Sequence, residues 1–294
     1  MMAPRLVSWP LIAMMALCTL LPQYASALQV GPPEVLQRIS GLEAVAFVGP
    51  EAPGGPAIIC SRLDQASFTW ELLQIPLDGG EPQFLGHGRD VDARGSIIAW
   101  VGSEPSSEGI WLRDLATDES PVRLSASLET SNPSISPDGR SVAFTRDTGR
   151  RVGIFRLRAG ARRLETITNR DERDPAWGPR EDLMLGIKAG QLWLLGGSRW
   201  QEMRQVRLTD NAMVHFDPAW HPGGRWVAFA AGWTEQRAQV GLLQLDTRRI
   251  LWPAPQITGV RSPAFSPDGS KLAFVAGEGE DAVLYLCKLG IADD

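Results

Sequence analysis

The chain has 294 residues, 21% of them charged, with a formal net charge of −5 and with 30 glycines and 22 prolines. That length suits one closed β architecture, and the mild acidity argues against nucleic acid, which demands a basic face, and weakly against an anionic membrane surface. Glycine and proline punctuate short runs rich in Val, Ile, Leu, Phe and Trp, and no stretch keeps a helical period, so the expected class is all-β.

Residues 1–27 carry Arg5, an apolar run from Leu11 to Leu21, and Ala25-Ser-Ala27, a small-x-small cleavage signature. They are expected to form a secretory signal peptide. The apolar run is about 11 residues, whereas a membrane span needs about 20. Cys18 follows Leu17 rather than a small residue, which argues against a lipoprotein site. No second apolar run of spanning length follows, so residues 28–294 are expected as one periplasmic or secreted domain without a membrane span.

After the leader, Leu36-Gln-Arg-Ile-Ser40 reads as a short outer strand that stands ahead of any first strand. Glu43–Val48 and Ala57–Cys60 follow as a strand pair joined by the turn-rich Gly49–Gly55. Then Asp92-Ala-Arg-Gly-Ser-Ile-Ile-Ala-Trp100 aligns without a gap to Ser136-Pro-Asp-Gly-Arg-Ser-Val-Ala-Phe144, 44 residues on. The pattern recurs around Pro133, Pro175, Pro218 and Pro263, which are 42, 43 and 45 residues apart. Such a period marks a repeat architecture. In Ser-Pro-Asp-Gly, Pro presets φ, Asp bonds back to the backbone and Gly takes the positive φ of a tight hairpin. Ala and a large residue alternate in the first strands (Ala176 and Trp177, Ala219 and Trp220, Ala264 and Phe265), so one face is thin and the other thick. Sheets of that kind stack radially, as blades around an axis.

Third strands are expected at Phe68–Gln74, Gly109–Leu115, Val152–Leu157, Gln191–Leu195, Val240–Leu245 and Ala282–Leu286. Fourth strands carry a hydrophobic-Thr/Ser ending at Pro121–Ser125, Leu164–Thr168, Val206–Thr209 and Gln256–Thr258, with Gln83–Leu85 a weaker member. The sixth repeat has none of its own, and Leu36–Ser40 is expected to supply it. The reading is a single six-bladed β-propeller of four-stranded blades, closed by an N-terminal strand that removes two open edges.

The Ser-Pro-Asp-Gly-x-x-Leu/Val-Ala-Phe pattern resembles the WD40-like propeller repeat (PD40) of the TolB family, over roughly residues 36–289. The family belongs to the periplasmic Tol-Pal system, and its propeller mouth receives Pal. The resemblance implies a non-catalytic envelope module with an envelope or periplasmic protein, a Pal-like lipoprotein for example, as partner. It does not extend to the separate domain and the TolA-binding segment that precede the propeller in TolB.

The residues before each first-strand proline, Asn132, Asp174, Asp217 and Ser262, are expected to line the mouth. They either cap turns or, with Asp171, Glu172 and His215, form a polar, partly acidic funnel for a protein segment or a cation. The loops that carry them hold Glu129, Asp171, Glu172, Asp174, Asp210 and Asp217 against Arg170 and Arg173. No cofactor is expected beyond a possible channel cation, because no metal-binding spacing is present. His87, His215 and His221 are the only histidines, and no Gly-x-Ser-x-Gly elbow supplies a nucleophile. The enzyme alternative is a lactonase or sugar dehydrogenase that holds a metal with scattered channel residues. Trp100, Trp111, Trp177, Trp193 and Trp220 stand at repeat-equivalent core positions, while Trp200, Trp233 and Trp252 fall in connecting segments. Cys60 and Cys287 either bridge across the closure or stay free in apolar strands.

Overall fold

The computed structural model describes residues 28–104, 106–126, 129–161, 163–197 and 204–291. The expected leader, with Cys18, and Trp200 lie outside the described residues. Among those described, no helix is long and apolar enough to cross a membrane. The secondary structure is β-strands with two short 3-10 turns, Glu235–Arg237 and Gly279–Asp281.

Six antiparallel sheets follow one another along the chain. Blade one is Leu42–Val48, Ala57–Asp64, Thr69–Pro76 and Gln83–His87; blade two is Arg89–Arg94, Ile97–Gly102, Gly109–Asp114 and Val122–Arg123. Blade three is Thr130–Ile135, Ser141–Asp147, Val152–Arg158 and Glu165–Thr168, and blade four is Arg173–Trp177, Leu183–Lys188, Gln191–Gly196 and Arg204–Arg207. Blade five is Val214–Trp220, Trp226–Gly232, Gln239–Gln244 and Ile250–Leu251. Its outer strand therefore falls six residues before the expected Gln256–Thr258. Ile250 and Leu251 pair with Leu243 and Leu242, and Ile257 instead closes a turn by donating its N–H to Ala254.

Blade six is Val260–Phe265, Lys271–Ala276 and Val283–Ile291, completed from the other end of the chain. Glu34–Arg38 pairs antiparallel with Val283–Leu286, two residues ahead of the expected segment. A further strand, Leu28–Val30, pairs with Leu289–Ile291, so the outer edge of the last blade is covered in two pieces. The Gly31 N–H donates to Lys288 O between them.

The turn chemistry follows from the repeat. Ser136 Oγ donates to Asp138 Oδ1 at 2.6 Å, Asp138 Oδ1 accepts the Arg140 N–H at 2.9 Å, and Gly139 has φ +69°. The last copy repeats this with Ser266, Asp268 and Gly269, the last at φ +73°. The alternation of thin and thick faces is equally regular. Trp177 packs between blades three and four and Ala176 between four and five; Phe265 faces blade five and Ala264 faces blade one. Second strands obey the same rule: Trp100, Phe144, Phe229 and Phe274 face the preceding blade, and Ala99, Ala143, Ala228 and Ala273 the following one. Each large ring thus lies over the small side chains of its neighbour, which lets the blades approach closely at the axis.

Trp252 packs edge-on against Phe229, with ring centroids 6.0 Å apart, whereas Trp233 is 65% exposed. Cys60 and Cys287 are both free and buried. Cys60 faces the interface of blades six and one, and Cys287 that of five and six, so a blade separates them. Burial pushes their thiols up to about 12 and about 11 respectively.

Candidate binding site at the channel mouth

The six first strands enclose a central channel of about 350 Å³. Five of these strands share an unusual backbone position: Asp90, Asn132, Asp174, Asp217 and Ser262 adopt φ between +48° and +51°. Each sits at a bulge, because the pairing with the second strand skips two residues there. A left-handed Asp or Asn is tolerated where bulkier residues are not. The bulge turns these side chains toward the next blade.

The resulting bonds run one way around the ring. Asp217 Oδ2 accepts the Ser262 N–H at 2.8 Å, and Ser262 Oγ accepts the Val45 N–H at 2.9 Å. Asp90 Oδ2 takes the Asn132 N–H at 3.4 Å, and Asp174 takes the backbone N–H of Asp217. A second tier lies two residues further along. Asp92 Oδ2 accepts the Ile135 N–H at 2.7 Å, and Ser134 Oγ the Trp177 N–H at 2.8 Å. Asp90, Asp174, Asp217 and Ser262 therefore cap the neighbouring blade, whereas next to Asn132 the Asp174 N–H goes instead to Thr145 Oγ1 at 2.9 Å.

Four of the expected site residues, Asn132, Asp174, Asp217 and Ser262, line the channel together. The other three stand apart from it. Asp171 is exposed in the preceding loop. Glu172 is fully buried, where it accepts from Lys188 Nζ at 2.8 Å, Gln205 Nε2 at 3.0 Å, the Arg170 N–H at 2.8 Å and the Thr168 hydroxyl. Burial opposes its charge, but these donors prevail and hold the carboxyl at about 2. His215 is buried between blades four and five, against the Phe229 ring, with Nδ1 within 3.0 Å of Gly190 O. Burial lowers its pKa and favours the neutral ring. Glu172, in the loop before blade four, and His215, at the start of the first strand of blade five, thus turned inward as structural anchors.

The channel also holds acids that the repeat alignment did not single out. Glu43, Asp90, Asp92, Asp174 and Asp217 line it, against Arg94 and Arg261. Burial pushes Asp174 up to about 7, with the adjacent Asp217 charge adding to it and Arg173 opposing it. Asp217 and Asp92 rise to about 6, chiefly through burial. Glu43 is also raised by burial, in spite of its ion pair with Arg261 at 2.9 Å.

For an acid whose pKa is higher in the folded state, the stabilising contribution is complete below the unfolded value, near 4, and is lost as pH rises through about 6–7. The Asp174→Asn/Asp217→Asn double variant mimics the protonated pair and keeps a hydrogen-bond acceptor at each site. It should melt higher than the parent at pH 8, by about 2–4 °C for each kcal/mol of relieved repulsion, and show a flatter melting profile between pH 5 and pH 8. A parallel profile in differential scanning calorimetry would count against charge strain at the mouth.

No family model matches the chain, and no curated protein matches it in sequence. Solved structures do. A TolB candidate from Agrobacterium tumefaciens superposes with a TM-score of 0.66 at 16% identity, over 90% of this chain and 100% of that one. TolB from Acinetobacter baumannii gives 0.60 at 18% identity over 86% of this chain, which spans 65% of the length of that protein. A gluconolactonase from Xanthomonas campestris gives 0.65 at 12% identity, over 90% and 92%. At such identities the likeness shows the fold alone, and what the chain shares with these proteins is the all-β propeller, here with six four-stranded blades closed by its N-terminal strand.

Proposed function

We propose that this chain is a non-catalytic, protein-binding propeller of the cell envelope, exported to the periplasm, whose channel mouth receives a basic segment of an envelope protein such as a Pal-like lipoprotein. The observation that carries the reading is the chemistry of the wall. Five carboxylates line the channel, and Pro133, Pro175, Pro218 and Pro263 add apolar rings that have no N–H to donate. A wall rich in acceptors and poor in donors suits a ligand that brings its own donors, as lysine and arginine do. The competing reading is a metal-dependent channel enzyme, which the likeness to a gluconolactonase keeps in view. Among the described residues no group of three or more His, Cys, Asp or Glu side chains is placed to hold a metal ion.

The test is affinity purification from the periplasm, followed by measurement of the captured protein against the parent and the Asp174→Asn/Asp217→Asn variant. Binding to the parent is expected to weaken as salt rises. The variant should bind several-fold more weakly at pH 8, with a shallower salt dependence. Equal affinity and equal salt dependence would reduce the mouth acids to blade-capping groups.

A further inference from the structure

We propose that Arg94, on the floor of the channel, receives a carboxylate at the leading tip of the inserted segment, so that the segment enters acid end first with its basic side chains behind. This rests on the reading of the mouth as a site for a basic segment.

The channel is electrically graded along its axis. Glu43, Asp90, Asp174 and Asp217 belong to the starts of the first strands, at the mouth. Arg94 closes the first strand of blade two at the opposite end, where it pairs with Ile97 across the hairpin. The two channel arginines differ in how far they are already satisfied. Arg261 is spent on the fold: Nε pairs with Glu43 Oε2 at 2.9 Å, Nη1 donates to Gly277 O at 2.5 Å, and Nη2 donates to Leu42 O. Arg94 uses Nη2 alone, in long bonds to Trp177 O at 3.3 Å and Gly178 O at 3.4 Å of blade four. Among the described residues it forms no ion pair, and its Nε and Nη1 donate to no group. Asp92, on whose charge it acts, precedes it by two residues on the same face of the strand, with an oxygen committed to the Ile135 N–H.

The guanidinium is thus oriented by the two carbonyls and left with a free edge. That fork matches a carboxylate in two parallel hydrogen bonds. Trp177, Trp220 and Phe265 line the same end of the channel, and such apolar surroundings strengthen a charged pair made there. An inserted chain meets acceptors along the wall and the open edge of Arg94 at the floor, which sets its direction. The carboxylate is that of a chain terminus or of an acidic side chain at the tip.

Three acetylated pentapeptides separate these cases by isothermal titration calorimetry on the secreted protein: Ala-Lys-Ala-Lys-Ala as the free acid, the same sequence as the carboxamide, and Ala-Lys-Ala-Lys-Glu as the carboxamide. The free acid should bind about tenfold or more tighter than its carboxamide. A gain confined to the free acid assigns the carboxylate to the chain terminus, a gain confined to the Glu peptide assigns it to a side chain, and a gain in both shows that either serves. In R94Q, which keeps part of the stem and a neutral amide but removes the charge and the fork, acid and carboxamide should converge to within about twofold while the carboxamide binds as it does to the parent. R94K should keep part of the preference. Equal binding of all three peptides by the parent overturns this inference and leaves the basic-segment reading standing, as does a preference that persists in R94Q. If no peptide binds a protein whose circular dichroism is intact, both fall.

Discussion

Removing residues 28–38 should convert the propeller into a self-associating species with a melting temperature lowered by about 10 °C or more. The outer edge of Val283–Ile291 is covered by Glu34–Arg38 and Leu28–Val30, and their loss exposes a nine-residue row of unpaired backbone groups. A bare edge of that length is a template for another chain. The deletion also removes Leu28 from the core between blades five and six, and Leu36 from that between six and one. Size-exclusion chromatography with light scattering and scanning calorimetry read both effects. Adding a synthetic peptide of residues 28–40 should restore the monomer. A truncated protein that stays monomeric and melts as the parent does would show that these strands do not close the ring.

The second large effect is expected at Phe229. This side chain is fully buried between blades four and five, with His215 on one side and Trp252 on another. Phe229→Ala should cost about 3–5 kcal/mol, because the surrounding rings cannot collapse onto the space. The residue opposite it on the third strand is Gly241, and a Cβ there would lie 2.5 Å from Cζ of the ring. Gly241→Ala alone should therefore cost about 1–3 kcal/mol through overpacking. Because the two sites share one space, Phe229→Leu combined with Gly241→Ala should destabilise less than the sum of the single changes in urea unfolding. Strict additivity would mean that the ring is not held against the glycine.

The legible part of the fold was the hairpin. Ser136-Pro-Asp-Gly139 and Ser266-Pro-Asp-Gly269 encode their turns in local bonds, so they identify the blades wherever they survive. The alternation of Ala with a large residue likewise reports which neighbour each face meets. Blade two is where alignment slipped. Its hairpin runs directly from Arg94 to Ile97, two residues shorter than the turn between Ser136 and Ser141. A gapless match then places Asp92 in the turn, whereas its backbone-capping role is that of Ser134, and Asp90 stands where Asn132 does. Counting the length of the hairpin would have found both acids. The outer strand of blade five escaped notice because a two-residue pairing leaves no pattern to read. Glu172 and His215 were misplaced because composition does not reveal which way a side chain near a strand start turns; Glu172 found Lys188 and Gln205, donors far from it in sequence.

The register of the outermost strand has a mechanical consequence. Leu28 lies opposite Ile291, so the two ends of the described chain leave the same corner of the last blade side by side. A load applied between them acts across the hydrogen bonds of that pair one at a time, as in an opening zipper, rather than on all of them together in shear. The seam is therefore the weakest point of the ring under tension between its own ends. A load between Leu28 and an object seated in the channel enters through the same three-residue pair, so it too opens this seam before it reaches the strands deep in the sheets.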